Sequence, residues 1–234
     1  LNIGKCLYYL FNSSSYSIFM VKYKVSAVSY LNTIPFIYGL KQSKLMEIID
    51  LHLHYPAICA DKLISKEVDI ALIPVVAIPQ LEDAYIISDY CIGSDGKVDT
   101  VCLYSEIPLE EIEEIYLDYQ SRTSVELLKV LCREYWKISP EFKDSEKGFE
   151  DKIVGRTAAL IIGDRAFSAN RKYRYKYDLS DIWKKMTGFP FVFACWISNK
   201  NINNEIYHCI NEQLTVKQVA DICKKQNRNL KIIS

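Results

Sequence analysis

The sequence lacks three features that would narrow its function at once: closely paired cysteines, an excess of charge of one sign, and a long apolar run. Lysine plus arginine and aspartate plus glutamate both number 29 among 234 residues, so no overall field draws the chain to nucleic acid or to an anionic membrane. No apolar run is long enough to span a bilayer. Half of the residues are apolar and a quarter are charged, as in an ordinary globular protein, and a small-molecule partner is favoured.

The eight cysteines contain no C-x-x-C pair, and most lie within apolar runs. They occupy positions 6, 59, 91, 102, 132, 195, 209 and 223. This usage is typical of reduced core residues in a cytosolic protein, and not of a disulfide framework or a zinc site. His52 and His54 alternate on a predicted strand and His208 lies on a predicted late helix, but no third ligand of matching spacing accompanies them. A structural role is therefore favoured for the histidines, and no metal is predicted.

An apolar segment near the start of the sequence precedes Met20. Lys5 comes before this segment and serines follow it, but no small-x-small cleavage site is present. We therefore expect residues 1–19 to be an upstream extension that is non-native or disordered, with an export signal as the alternative. At the other end, Ile232 to Ser234 reads like the start of an unfinished strand, as in a fragment or a shortened reading frame.

From Met20 onward, β-rich runs alternate with amphipathic ones. Strands are predicted at Tyr23 to Val28, Ile48 to Leu53 and Asp69 to Ile73, with helices starting at Pro35 and Pro56 between them, which is the βαβαβ order of a parallel sheet. A second series follows the Gly93 to Gly96 turn. Two short strands, at 85–88 and 89–92, precede this turn. After it come a β-rich run at 98–104, a helical start at 108–112, strands at 115–117 and 158–162, helices at 124–131 and 181–187, a strand at 189–197 and two C-terminal helical stretches.

This order predicts an α/β fold of two lobes, the second inserted into the first, with mostly parallel sheets and flanking helices. Lobe 1 is predicted at 20–102 plus 193–234 and lobe 2 at 103–192, with the charged stretch from Glu141 to Lys152 as a solvated loop. Ligands of such folds bind in the cleft, outside the carboxyl ends of the strands.

The tetrad Ser121-Arg122-Thr123-Ser124 follows a predicted strand and leads into a helical apolar pattern. A helix N-terminus attracts anions through its free amides and its dipole, and Arg122 could offer a planar fork to a carboxylate. The alternative is that a hydroxyl merely caps the helix, with Glu126 completing a capping box and Arg122 solvated. Asp164, after another strand, could likewise cap a helix or orient Arg165.

Five blocks of the sequence, in order along the chain, resemble those of chorismate dehydratase, the first enzyme of the futalosine route to menaquinone. The blocks are Val28 to Pro35, Asp69 to Pro74, Ser121 to Ser124, Ile162 to Asp164 and Trp183 to Ala194. The related 1,4-dihydroxy-6-naphthoate synthase usually has a Pro-Asn-Asp type loop after its first strand. The segment Tyr30-Leu31-Asn32 is more similar to the dehydratase.

The resemblance implies a type 2 periplasmic-binding-protein fold that removes water from chorismate, leaves 3-[(1-carboxyvinyl)oxy]benzoate, and needs no cofactor. Under it, Asn32 and Thr100 would be catalytic. Substrate binding would fall to a wider set of polar side chains at the cleft: Ser29, Tyr30, Ser121, Arg122, Thr123, Ser124 and Asp164. The proton acceptor stays open between a substrate carboxylate and Asp164.

A non-catalytic protein that binds a small carboxylate remains the alternative from another class, since one fold hosts both functions. The interpretation as an enzyme includes a cytoplasmic location and neither nucleic acid nor membrane as a partner. The sequence leaves the oligomeric state open between a monomer and a homodimer.

Overall fold

A computed structural model describes residues 22–202, 206, 207, 210 and 211; ten strands and five α-helices lie within 22–202, and residues 206, 207, 210 and 211 are also helical. The strands are β1 Tyr23–Val28, β2 Ile49–His54, β3 Ile70–Pro74, β4 Tyr85–Ser94, β5 Val101–Ser105, β6 Glu114–Leu117, β7 Glu141–Asp144, β8 Thr157–Ile162, β9 Tyr175–Asp178 and β10 Phe191–Ser198. The helices are α1 Ile34–Gln42, α2 Pro56–Ile64, α3 Thr123–Val130, α4 Ala166–Ala169 and α5 Leu179–Thr187. Helix α3 continues as a π-helix over Leu131–Trp136. The predictions for residues 1–19, His208 and the end of the chain lie outside the described residues.

The first sheet has the order β2-β1-β3-β10-β4. Strands β1, β2 and β3 are mutually parallel, because helices α1 and α2 carry the chain back between them. Strand β3 is buried along its whole length, as expected of a central strand whose residues are all apolar. Strand β10 returns from the other sheet and pairs antiparallel with both β3 and β4.

The second sheet has the order β7-β6-β8-β5-β9. Strand β6 is parallel to β7 and β8, whereas β5 is antiparallel to β8 and β9. Helix α5 begins where the side chain of Asp178 accepts hydrogen bonds from the amides of Ser180 and Asp181, both at 3.1 Å. It ends at Gly188, whose φ of 77° is the left-handed conformation that closes many helices.

The α/β class with two sheets and flanking helices is confirmed, but each sheet is mixed and not mostly parallel. In each sheet the strand that arrives from the other sheet, β10 in the first and β5 in the second, runs antiparallel to both of its neighbours. The first sheet takes its strands from 23–94 and 191–198 and the second takes its strands from 101–178. The exact division of the chain into lobes stays a prediction.

The prediction of a solvated loop from Glu141 to Lys152 is wrong. Residues Glu141–Asp144 form the edge strand β7, and Phe149–Lys152 form a short 3-10 helix whose Phe149 is only 1% exposed. The two short strands expected at 85–92 are one strand, β4, and strand β9 was not predicted at all. Charged residues on short edge strands conceal the alternation on which strand prediction depends.

Each sheet has its own apolar core. Leu63, Leu72 and Trp196 belong to the first, and Leu103, Ile115 and Leu128 belong to the second. The half-buried Tyr30 packs against both cores, at the junction of the sheets. None of the described helices is both long enough and apolar enough to cross a membrane.

Candidate substrate-binding cleft

Loops from the carboxyl ends of β1, β3, β6 and β8 meet between the two sheets. Tyr30 follows β1, Val76 follows β3, the segment 118–124 follows β6, and Gly163 follows β8. These strands run parallel within each sheet, so their ends lie at a common edge, which is where ligands bind in such folds. We take the region between these loops as the candidate cleft.

Tyr30 joins the two sides of the cleft. Its hydroxyl donates a hydrogen bond to Oε1 of Gln120, and its ring lies against Gly163. A Cβ on Gly163 would fall 2.8 Å from the ring, and Gly163 has a φ of +65°, so both the contact and the backbone require glycine here. Burial, with Asp118 nearby, raises the pKa of the Tyr30 phenol well above its usual value, so the hydroxyl stays a neutral donor.

The segment Ser121 to Ser124 leads into helix α3, which begins at Thr123, as the sequence predicts. The hydroxyl of Ser121 accepts a hydrogen bond from the amide of Ser124 at 3.2 Å, which caps the helix. The hydroxyl of Thr123 accepts one from the amide of Val76 at 3.4 Å, across the cleft. Thr123 and Ser124 are buried. The segment therefore both caps helix α3 and lies in the cleft, so the two interpretations of its sequence do not exclude each other.

Arg122 is not solvated but binds residues from the opposite side of the cleft. Its guanidinium pairs with Asp61 on α2 and lies 3.5 Å from Oε1 of Gln80. The arginine side chain is 27% exposed and Asp61 is 54% exposed, so water competes for the pair. A carboxylate ligand could replace Asp61 on the same guanidinium at little cost.

Asp118 and Arg165 form a buried ion pair that sequence reasoning missed. Nη2 of Arg165 lies 2.6 Å from both carboxylate oxygens of Asp118, whose side chain is fully buried. Burial raises the pKa of Asp118, and the guanidinium and two backbone amides oppose that rise. The residues are 47 positions apart, so no local pattern could have revealed the pair.

The other predicted site residues have different surroundings. Asn32 lies in a 3-10 turn, Leu31–Thr33, directly after Tyr30, and its amide oxygen accepts from the Thr33 hydroxyl at 3.3 Å. The carbonyl of Thr100 accepts from the amide of Gly163 at 2.8 Å, which places Thr100 beside β8. Asp164 is half-buried next to Gly163.

Ser29 is exposed and, together with Tyr30, lines a surface pocket. This pocket lies beside α1, and its other lining residues are Val28, Tyr30, Ile34, Ile37, Tyr38, Lys41 and Leu53. Ser29 therefore stands at the outer rim of the cleft. Its amide donates to the carbonyl of His54 at 2.9 Å.

His52 and His54 have structural partners. Nδ1 of His54 lies 2.9 Å from the Ser26 hydroxyl, which donates to Sγ of Cys59 at 3.3 Å, and His52 pairs with Asp50 at 2.9 Å. Within residues 22–202 and the four described beyond them, no cluster of three or more histidine, cysteine or acidic side chains could hold a metal. The five described cysteines, 59, 91, 102, 132 and 195, are free thiols.

The arrangement suits the binding of a small organic anion. It combines a helix N-terminus, an arginine held by an exposed carboxylate, a neutral phenol and several hydroxyls within one cleft. Such donors recognise carboxylates and can stabilise negative charge that develops on a ligand.

Solved structures with the same fold are numerous and distant in sequence. A crystal structure of a protein from Archaeoglobus fulgidus has a TM-score of 0.66 at 15% identity, over 90% of this chain and 83% of that one. A methionine-binding lipoprotein described for Bacillus subtilis has a TM-score of 0.56 at 13% identity, over 91% and 98%. A periplasmic substrate-binding protein of an ABC transporter from Coxiella burnetii has a TM-score of 0.52 at 11% identity, over 87% and 96%. These similarities establish the fold, a periplasmic-binding-protein-like one.

Sequence similarity identifies the family. A chorismate dehydratase from Thermus thermophilus is 29% identical over 152 residues, which are 57% of this chain and 55% of that protein, so the matched region spans about half the length of the relative. The family model described as menaquinone biosynthesis matches residues 23–220, which include both sheets and every loop of the cleft. The chain therefore belongs to the menaquinone biosynthesis family.

Proposed function

We propose that this protein is a chorismate dehydratase, a hydro-lyase that converts chorismate into 3-[(1-carboxyvinyl)oxy]benzoate and water. The relative from Thermus thermophilus bears that name, and the family model supports the pathway. The observation that carries the proposal is Arg122 at the N-terminus of α3, facing the cleft and held there by the exposed carboxylate of Asp61 and by Gln80. Chorismate carries two carboxylates, which this donor set would bind.

The reaction breaks the C3–H and C4–OH bonds of the cyclohexadiene ring. The electron pair of the C3–H bond forms a C3–C4 double bond, the ring becomes aromatic, and the hydroxyl leaves C4 with a proton as water. The ring carboxylate acidifies the hydrogen on C3 through conjugation. Since aromatisation drives the step, the protein needs only to orient the ring and to stabilise the charge that develops.

Each predicted site residue has a role in this proposal. Ser121, Arg122, Thr123 and Ser124 bind a carboxylate, and Asn32 holds the substrate near the reacting carbons, because its amide can both donate and accept. Thr100 supplies a hydroxyl beside Gly163. Tyr30, Ser29 and Asp164 complete the wall of the cleft, and either a substrate carboxylate or Asp164 accepts the proton.

The proposal includes a cytoplasmic location and a small molecule as the partner. The buried thiols at 59, 102, 132 and 195 support a reducing compartment. The alternative, a non-catalytic carboxylate-binding protein, has the same fold and the same charge pattern, so turnover must distinguish the two.

The test mixes the purified protein with chorismate in metal-free buffer and identifies the product by chromatography and mass spectrometry. We expect a product lighter by one water that retains the enolpyruvyl ether, at a rate that falls in Asn32→Ala and not in Asn201→Ala, an exposed asparagine outside the cleft. A heat-inactivated sample controls for spontaneous decay of chorismate. Tight binding without turnover would reject the dehydratase in favour of the binding protein.

A further inference from the structure

One buried carboxylate ties together the two loops of the second sheet that face the cleft. The amide of Ile162 donates to Oδ2 of Asp118 at 2.9 Å, and the amide of Gln120 donates to Oδ1 at the same distance. Ile162 directly precedes Gly163–Asp164, and Gln120 directly precedes Ser121. The position of each loop relative to the other therefore depends on where Asp118 is held.

Arg165 holds Asp118 with a fork that few side chains could replace. Its Nη2 lies 2.6 Å from both oxygens of Asp118, while Nη1 lies 2.9 Å from Glu150. The guanidinium also lies over the rings of Tyr119 and Phe149, at 5.2 and 5.6 Å from their centroids. A lysine would keep the positive charge but could not reach both carboxylates or stack on the two rings.

Tyr30 and Ala57, from the opposite side of the cleft, contact residues at or next to the two amides that bind Asp118. Tyr30 binds Gln120 through its hydroxyl and packs on Gly163, and the amide of Ala57 donates to the carbonyl of Gln120 at 3.3 Å. Gln120 is itself one of the two residues whose amides Asp118 accepts. A displacement of Asp118 would therefore reach both loops and the tyrosine that closes on them.

We propose that Arg165 is a positioning residue for substrate binding, which fixes Asp118 and thereby sets the distance between the Ser121–Ser124 segment and Gly163–Asp164. The role depends on the proposed function, because those two loops are the ones assigned to the substrate. If Arg165 has this role, its replacement should raise KM and not cause a general loss of activity. The reason is that Arg165 acts on the geometry of binding and is not assigned to the reacting carbons.

The test compares Arg165→Lys with Arg156→Lys, whose arginine pairs with Glu113 on the exposed surface of the same sheet. We expect the KM for chorismate to rise roughly tenfold or more in Arg165→Lys, because the displaced loops would lose a charge-assisted hydrogen bond to the substrate carboxylate. The kcat should change far less, and Arg156→Lys should match the parent in both constants. An Arg165→Lys protein that is folded and has the parental KM overturns the proposal.

Hydrogen exchange measured by mass spectrometry gives a second readout that needs no substrate. In Arg165→Lys, exchange should accelerate in peptides covering 119–124 and 162–165, with the rest of the second sheet unchanged. Faster exchange throughout that sheet, with kcat and KM both impaired, would indicate a purely structural role and would also overturn the proposal.

A variant without either charge covers the case in which Arg165→Lys does not fold. Asp118→Asn combined with Arg165→Gln leaves no unpaired buried charge, and Glu113→Gln with Arg156→Gln is its matched control. A folded double variant with the parental KM and exchange pattern overturns the positioning role. Failure of the parent protein to convert chorismate would instead reject the dehydratase, while the exchange pattern would still decide whether Arg165 positions the two loops.

Discussion

Replacing Gly163 with alanine should destabilise the protein for two separable reasons. The first is the backbone, because an L-residue at a φ of +65° costs about 1–2 kcal/mol. The second is the ring of Tyr30, whose atoms lie 2.8 Å from the position of the new methyl group. Overpacking of this kind costs roughly 1–3 kcal/mol, so the total should be about 2–5 kcal/mol.

Gly155 provides a matched control for the first reason alone. Its φ is +60°, and nothing lies within 4 Å of a Cβ built on it. Gly155→Ala should therefore lower the free energy of unfolding by only about 1–2 kcal/mol. The difference between the two variants measures the contact with Tyr30.

Urea unfolding of a double-mutant cycle tests the assignment to Tyr30 directly. In a Tyr30→Ala background, Gly163→Ala should cost no more than Gly155→Ala, because the methyl group then enters empty space. The same cost for Gly163→Ala in both backgrounds would refute the reasoning. It would show that Tyr30 does not occupy the space above Gly163.

Three further predictions concern the cleft, the core and the pH response. Arg122→Ala should weaken chorismate binding by about 10- to 100-fold, as expected for a lost charge-assisted hydrogen bond of about 1.5–3 kcal/mol. Calorimetry measures the affinity, with Arg133→Ala as the control at an exposed arginine. An Arg122→Ala protein with the parental affinity would show that Arg122 does not bind the substrate. Phe149→Ala should lower the free energy of unfolding by about 3–5 kcal/mol, because the ring is buried. A loss measured by urea unfolding that is as small as that of an ordinary surface substitution would contradict this prediction. Burial, and to a smaller extent the nearby charge of Lys62, lowers the pKa of His54 below 6.5. The unfolded chain therefore binds a proton at His54 at a higher pH than the folded chain. The stability due to neutral His54 is therefore complete above pH 6.5 and is lost as the pH falls from there through the folded-state pKa. His54→Gln should flatten the pH dependence of the free energy of unfolding, measured by urea titration. The same pH dependence in the variant and the parent would show that His54 does not cause it.

The regular elements near the cleft could be predicted because local patterns determine them. Helices α1 and α2 begin at or next to a proline, and β1 to β3 are short apolar or alternating runs. The serine and threonine ahead of α3 likewise indicate a helix start. These signals arise within a few residues of each other, so one sequence is sufficient to read them.

Pairings between distant residues could not be predicted in this way. Asp118 meets Arg165 and Arg122 meets Asp61 only because the two sheets bring separate loops together. Strands β7 and β9 were missed because each is four residues long, charged and held at a sheet edge by its neighbour. Their conformation depends on tertiary pairing and not on their own composition.

The two strands that join the halves of the protein also determine how it can move. Strands β4 and β10 pair with each other side by side, with irregularities in register between Val192 and Ala194 and between Cys195 and Ile197. Because a ribbon with such irregularities can bend while its own pairing persists, we expect the two sheets to separate by bending here. The two sides of the cleft are held together by polar contacts that water can replace, each contributing about 0.5–1.5 kcal/mol, and by the packing of Tyr30 against both cores. Opening would exchange the polar contacts for water and part Tyr30 from one core, which gives a ligand an entry path while the strands of both sheets stay paired.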